Sequence, residues 1–166
     1  GNVLTQGSIS SKTHDDSFEA FFKDMTAAIR KSLSEIGPAQ LIGIGVGAAN
    51  GNYYHGTIEH ATNLPWKGII PLADMVKKEF DVPCIVTNDA NAAAVGEMVF
   101  GSAKGMKDFI VITLGTGLGS GIVCNGHLVN GKHGIAGEVG HTSVNPAGRH
   151  CNCGKRGCLE TYVSAT

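Results

Sequence analysis

The sequence predicts an α/β protein in two parts, and three observations carry that prediction. Up to residue 104, short apolar runs rich in glycine or β-branched residues alternate with segments of helical period. That is the pattern of an α/β layer around a largely parallel sheet. From residue 105, Ile/Val/Thr runs follow one another through glycine turns, as in an antiparallel meander. Glycine itself supplies 24 of 166 residues, about twice ordinary usage. It gathers at 43–51, 115–121, 126–140 and 148–157 rather than in a repeat, which marks backbone shaped for tight turns and close approach. The expected organisation is therefore a first domain over 1–104 and the start of a second over 105–166.

Residues 3–9 read as a short strand. Asp16, with Glu19 three residues on, forms a capping box. It starts a helix whose Phe18, Phe21, Phe22, Met25, Ile29 and Leu33 share one face, and Gly37-Pro38 stops it. Leu41 to Val46 has the glycine-rich apolar character of a buried strand, and a polar loop with Gly51, Asn52 and Gly56 follows. Pro71 fits the first turn of a second helix with Leu72, Met75, Val76 and Phe80 inward. Val82 to Thr87 reads as a strand, and Asn88-Asp89-Ala90-Asn91 opens an alanine-rich helix to about Phe100. Phe109 to Leu114 is a strand that the glycines of 115–121 interrupt and Ile122-Val123-Cys124 resumes. Asn125-Gly126 is a two-residue hairpin signal, with His127-Leu128-Val129 returning. Residues 131–158 have little periodicity and need an internal staple.

Charge and hydropathy exclude several classes. The 13 basic and 14 acidic residues leave a net charge of −1, which argues against a nucleic-acid wrap or a polybasic membrane anchor. No apolar run reaches the roughly 18 residues of a membrane span. The first residues show neither a basic stretch nor the apolar core of a signal peptide. A cytoplasmic, reducing compartment is expected, in which Cys151, Cys153 and Cys158, three of five cysteines clustered within eight residues, point to a metal site rather than to a disulfide framework. Cys84 and Cys124 read as small buried hydrophobes.

Three constellations carry chemistry. Gly115-Thr116-Gly117-Leu118-Gly119-Ser120-Gly121 lies between two strands, so it is neither a dinucleotide fingerprint nor a Walker loop. It is either a plain glycine hairpin or a turn whose N–H groups and hydroxyls cradle an anion. Asn88-Asp89 lies where a strand ends and a helix begins, outside the carboxyl end of a strand, where open α/β sheets bind ligands. Asp89 is either a helix N-cap or a carboxylate that accepts a proton from a substrate hydroxyl. Asn88 offers a donor and an acceptor to a polyol. Glu138-x-x-His141 then precedes Cys151-x-Cys153-x-x-x-x-Cys158 and Glu160. Three thiols and an imidazole make a closed tetrahedral zinc set. His150 is the rival imidazole, but its adjacency to Cys151 strains joint chelation, which favours His141. His14, His55, His60, His127 and His133 read as surface or packing residues.

Taken together, Asn88-Asp89-Ala90-Asn91-Ala92-Ala93-Ala94-x-Gly96-Glu97, the 115–121 glycines, Gly137-Glu138-x-Gly140-His141 and Cys151-x-Cys153-Gly154-x-x-Gly157-Cys158-x-Glu160 resemble the ROK (repressor, open reading frame, kinase) sugar kinases. The resemblance implies an actin-like ATPase (RNase H-like) fold of two domains, both represented in part, with a cleft between them. It implies ATP-dependent phosphorylation of a hexose, glucose foremost, with Asp89 as general base. Asn88, Glu138, His141 and Glu160 hold sugar hydroxyls, with Asn63 and Asn50 as outer sugar contacts. Gly115, Thr116, Gly117 and Gly119 face the ATP phosphates, with Mg²⁺ as cofactor. His141, Cys151, Cys153 and Cys158 bind structural Zn²⁺, so that His141 serves metal and sugar through one ring nitrogen each. A homodimer without nucleic-acid or membrane partners is implied. The family's Asp-x-Gly-Gly-Thr and adenosine segments fall outside this sequence, so the chain is expected to be a central piece with little turnover alone. Gly47-Ala48-Ala49 stands where many members carry Pro-Gly. The alternatives are a sugar-sensing repressor built on the same domain and a non-catalytic sugar-binding fragment.

Overall fold

The computed structural model describes residues 2–11, 17–61 and 64–165. Asp16, His14 and Asn63 lie outside them. Helix α1 spans Phe18–Glu35 and is capped by Ser17, whose hydroxyl accepts the Ala20 N–H at 3.2 Å. The aromatic face expected from the period is the one that packs. Phe18 meets Trp66 edge-on with ring centroids 5.2 Å apart, and Phe21 meets the same indole at 4.5 Å. The strand expected over 3–9 does not form: the segment runs beside α1 without a ladder partner among the described residues, and Val3 and Leu4 face solvent.

Strands β1 (Ile44–Ala48) and β5 (Cys84–Asn88) pair in parallel, from Ile44 opposite Cys84 to Ala48 opposite Asn88. Both start later than the apolar runs suggest. Pro83 has no N–H to extend the ladder. Its carbonyl accepts the Ile44 N–H at 2.9 Å, and residues 41–43 are left unpaired. Between these strands, the segment read as a polar loop builds a small antiparallel sheet. Its strands are β2 (Gly51–Asn52), β3 (Thr57–Glu59) and β4 (Ile69–Ile70). Strands this short hold too few residues to display a period of two, so the expected largely parallel sheet reduces to one parallel pair with antiparallel companions. Helix α2 (Leu72–Phe80) follows Pro71 and buries Leu72 and Val76, as its spacing predicts.

The second part is the meander read from sequence. Strands β6 (Phe109–Leu114), β7 (Leu118–Cys124) and β8 (His127–Leu128) form one antiparallel sheet. Asn125 and Gly126 turn between β7 and β8 with φ of 52° and 77°, the paired positive angles of a type I′ hairpin. Cys124 ends β7 in its outward phase and is exposed, while Cys84 is only half-buried, against the expectation of two buried thiols. Burial nonetheless pushes the Cys84 thiol up.

Helix α3 (Asp89–Val99) packs against both parallel strands and against β6 and β7. Alanine and glycine make that possible. A Cβ on Gly121 would stand 2.5 Å from Ala94 Cβ and 2.7 Å from the Ala90 carbonyl, and one on Gly119 would stand 2.9 Å from Ala90 Cβ. Half of the 115–121 glycines therefore serve close helix–strand contact. Gly121→Val should lower stability by at least the ~1–3 kcal/mol typical of an overpacked core, read as a drop in the urea midpoint. An unchanged midpoint would mean that this contact is loose.

Candidate functional site

The carboxyl end of β5 delivers Asn88 to the mouth of a cleft of about 620 Å³. Asn50, Asn52, Glu59 and His60 line one wall, and Thr116 and Gly117 another. The loop through Gly134 and Glu138, the short 3-10 turn Val139–His141, and helix α4 (Glu160–Val163) complete it. Of the residues singled out from sequence, Asn50, Asn88, Glu138, His141, Glu160, Thr116 and Gly117 meet here, together with Cys151 and Cys153.

Local chemistry explains each placement. Asn88 caps α3, its Oδ1 accepting the N–H groups of Ala90 at 2.8 Å and Asn91 at 3.3 Å. The cap considered for Asp89 thus belongs to its neighbour, and Asn88 has its amide NH₂ to offer the cleft. Asp89 is exposed in the first turn, beside the cleft rather than in its lining, with Oδ1 accepting the same Ala90 N–H at 2.9 Å. Asn50 sits at a φ of 53° and donates to the carbonyls of Glu59 at 3.0 Å and His60 at 3.4 Å, so its amide also shapes the wall. Gly115 closes the β6–β7 turn, donating to the Gly117 carbonyl at 3.0 Å. Gly119 is paired with Thr113 within β7.

Asn52 and Glu59 were not singled out from sequence. Asn52 is 4% exposed and ties two parts of the cleft together. Its Oδ1 accepts from the Tyr54 and His55 amides, while Nδ2 reaches the His133 carbonyl at 3.3 Å. Glu59 takes hydrogen bonds from His55 and then Thr57, which hold its carboxyl below the usual range. An Asn-Gly turn signal around residues 50–52 was the one hint available.

At the far end, residues 142–158 are held by bridges between Ser143 and Cys158 and between His150 and Arg156. Cys151 and Gly154 close a tight turn through a 3.0 Å N–H···O bond. The ligand atoms of His141, Cys151, Cys153 and Cys158 all lie within 4.8 Å of one another, and His150 stands outside the group. Cys153 and Cys158 sulfurs are 3.6 Å apart, as are Cys151 Sγ and His141 Nδ1. Ligands about 2.0–2.3 Å from a tetrahedral zinc stand about 3.5–3.8 Å apart, so the donor set fits that ion. His141 presents Nδ1 to the sulfurs and Nε2 toward Glu138 Oε2 at 4.0 Å. Glu160 Oε1 accepts from Cys151 Sγ at 2.9 Å and lies 3.2 Å from His141 Nδ1. Burial first, then that bond to Glu160, pushes the Cys151 thiol up to about 12. The Lys155 backbone N–H holds the exposed Cys153 thiol below the ordinary range.

Layers of mixed α/β structure share helix α3 and open on a polar cleft with a glycine turn at one side and a Cys₃His cluster at its end, and the likeness to solved ROK structures makes this an actin-like ATPase (RNase H-like) fold. The sequence matches the ROK family over residues 1–166, and the chain belongs to that family. It is 52% identical over 130 residues to a glucokinase of Halalkalibacterium halodurans, covering 77% of this chain and 39% of that protein. It is 41% identical over 128 residues to a xylose repressor of Caldicellulosiruptor bescii, covering 76% of this chain and 32% of the repressor. Among solved structures, a ROK glucokinase from Streptomyces griseus in complex with glucose and AMPPNP superposes with a TM-score of 0.70 at 40% identity, over 86% of this chain and 46% of that one. The chain thus spans less than half the length of each of these relatives. No helix among the described residues is long and apolar enough to cross a membrane.

Proposed function

We propose that the protein is an ATP-dependent hexokinase that converts glucose to glucose 6-phosphate, with a domain boundary near residues 104 and 105. What supports this reading is the meeting of Asn88, Glu138, His141 and Glu160 with the Thr116-Gly117 turn in one cleft. Asn88, Glu138, His141 Nε2 and Glu160 hold the sugar hydroxyls. Asn50 lines the outer rim, and Asn63 serves as a further sugar contact. The sugar's primary hydroxyl passes its proton to Asp89 and attacks the γ-phosphorus of ATP in line, breaking the bond to the β,γ-bridging oxygen so that ADP leaves. Asp89 reaches that hydroxyl by releasing the Ala90 N–H, which Asn88 continues to receive. Gly115, Thr116, Gly117 and Gly119 form the phosphate side of the cleft. Mg²⁺, when bound, supplies neutralisation of phosphate charge. Zinc held by His141, Cys151, Cys153 and Cys158 supplies order to the loop that carries Glu160. The same reading makes the protein a cytoplasmic homodimer, with its mass in light scattering as the test.

Thermal shift with a hexose panel tests the reading. A hexose at 100-fold over its dissociation constant should stabilise the native state by about 2.7 kcal/mol, visible as a rise in Tm. No rise with any hexose would overturn it. A sugar-sensing repressor is the second reading, supported by the 41% identity to a xylose repressor. Sugar-dependent ADP release from MgATP by the whole protein separates the two.

A further inference from the structure

Glu138 stands on a peptide that Ser120 holds from outside the cleft, with the buried Asn91 of α3 close beside it. Ser120, 4% exposed on β7, donates its hydroxyl to the Gly137 carbonyl, the oxygen of the peptide leading into Glu138. The Val139 N–H reaches that carbonyl at 2.8 Å, and the His141 N–H closes the turn on the Glu138 carbonyl at 3.1 Å. Gly137 has a φ of 91°, and a Cβ there would stand 2.7 Å from the Ser120 carbonyl and 3.9 Å from Asn91 Oδ1. Asn91 belongs to α3, is 2% exposed, and its Oδ1 accepts no hydrogen bond among the described residues. A buried polar oxygen of this kind costs stability, and it lies where α3, β7 and the Glu138 loop approach one another at Gly137. Neither Ser120 nor Asn91 lines the cleft.

We infer that Ser120 and Asn91 are positioning residues for Glu138: they set its backbone relative to Asn88 and Asp89 at the start of helix α3, and so set how a hexose is gripped. The inference rests on the hexose-binding reading of the cleft. A side chain that grips a hydroxyl through one hydrogen bond loses that bond once its backbone shifts by a fraction of its length. The effect of Ser120 should therefore pass through Glu138 and vanish when Glu138 no longer makes the bond.

The test is a double-mutant cycle on hexose affinity, measured by calorimetry with glucose on the full chain, with zinc content checked in every variant. Ser120→Ala should weaken binding about tenfold and keep one zinc per chain. In a Glu138→Ala background, which has no side-chain group to bond the hydroxyl, the same change should cost less than about twofold. Asn91→Ala should behave like Ser120→Ala. Equal losses from Ser120→Ala in both backgrounds would assign Ser120 a general structural role and overturn the inference. So would affinity within twofold of wild type in Ser120→Ala. A wild-type chain that binds no hexose would overturn the reading of the cleft, and with it the inference. These failures are distinct, because the first two leave wild-type binding intact.

Discussion

Asp89→Asn in the whole protein should abolish phosphoryl transfer while leaving hexose affinity within a few-fold of wild type. Asparagine keeps the shape and cannot take up the hydroxyl proton, so the loss falls on kcat rather than KM. General base catalysis contributes about 10²–10⁴-fold, and orientation of the hydroxyl by the same carboxylate adds to it. The fold should survive. The cap of α3 is Asn88, whose Oδ1 accepts two N–H groups, so the substitution removes only a favourable charge near a helix N-terminus, worth about 0.3–1 kcal/mol. Steady-state kinetics with glucose and MgATP reads the outcome. A kcat within about threefold of wild type would remove Asp89 from the chemistry.

Cys153→Ser should cost the chain its zinc. The exposed Cys153 side chain is not part of the core, so a loss cannot be assigned to packing. It stands 3.6 Å from Cys158 Sγ within the four-ligand group. Metal affinity should fall by more than the roughly 10–100-fold that follows loss of a partner outside the ligand shell. Hydrogen exchange should speed up across residues 142–160, which have little apolar content of their own. His150→Ala, outside the group, should keep full metal. Elemental analysis and exchange mass spectrometry check all three. Zinc retained in Cys153→Ser, or lost in His150→Ala, would redraw the ligand set.

Both experiments bear on residues that sequence reasoning could name. Cys151, Cys153 and Cys158 with His141 were legible because metal chemistry dictates ligand type and spacing, and few other arrangements use three thiols in eight residues. The Asn125-Gly126 hairpin and the Leu72/Val76 face were legible for a similar reason: each depends on a local backbone angle or a helical period. The small sheet of β2, β3 and β4 was not legible. Two- and three-residue strands carry no periodic signal, and they exist only because Asn50, Asn52 and the 56–60 backbone find partners in space. The extended run at 3–9 erred in the opposite direction, since its composition suits a strand and no neighbouring strand pairs with it.

The glycines of 115–121 divide along the same line. Composition alone marked this segment as backbone for tight turns or close approach, and placed the Asn88-Asp89 pair where a strand ends and a helix begins. Tertiary structure decided the purposes. Gly119 and Gly121 admit Ala90 and Ala94 of α3, the turn 115–117 borders the cleft, and the N-cap falls to Asn88 and not to Asp89. It also brought Asn52, Ser120 and Asn91 into the support of the site. Their roles depend on contacts to carbonyls 17 to 81 residues away for Ser120 and Asn52, and on burial against Gly137 for Asn91. A local pattern records angles, periods and ligand types. Which distant carbonyl a buried amide or hydroxyl meets is set by how the layers pack.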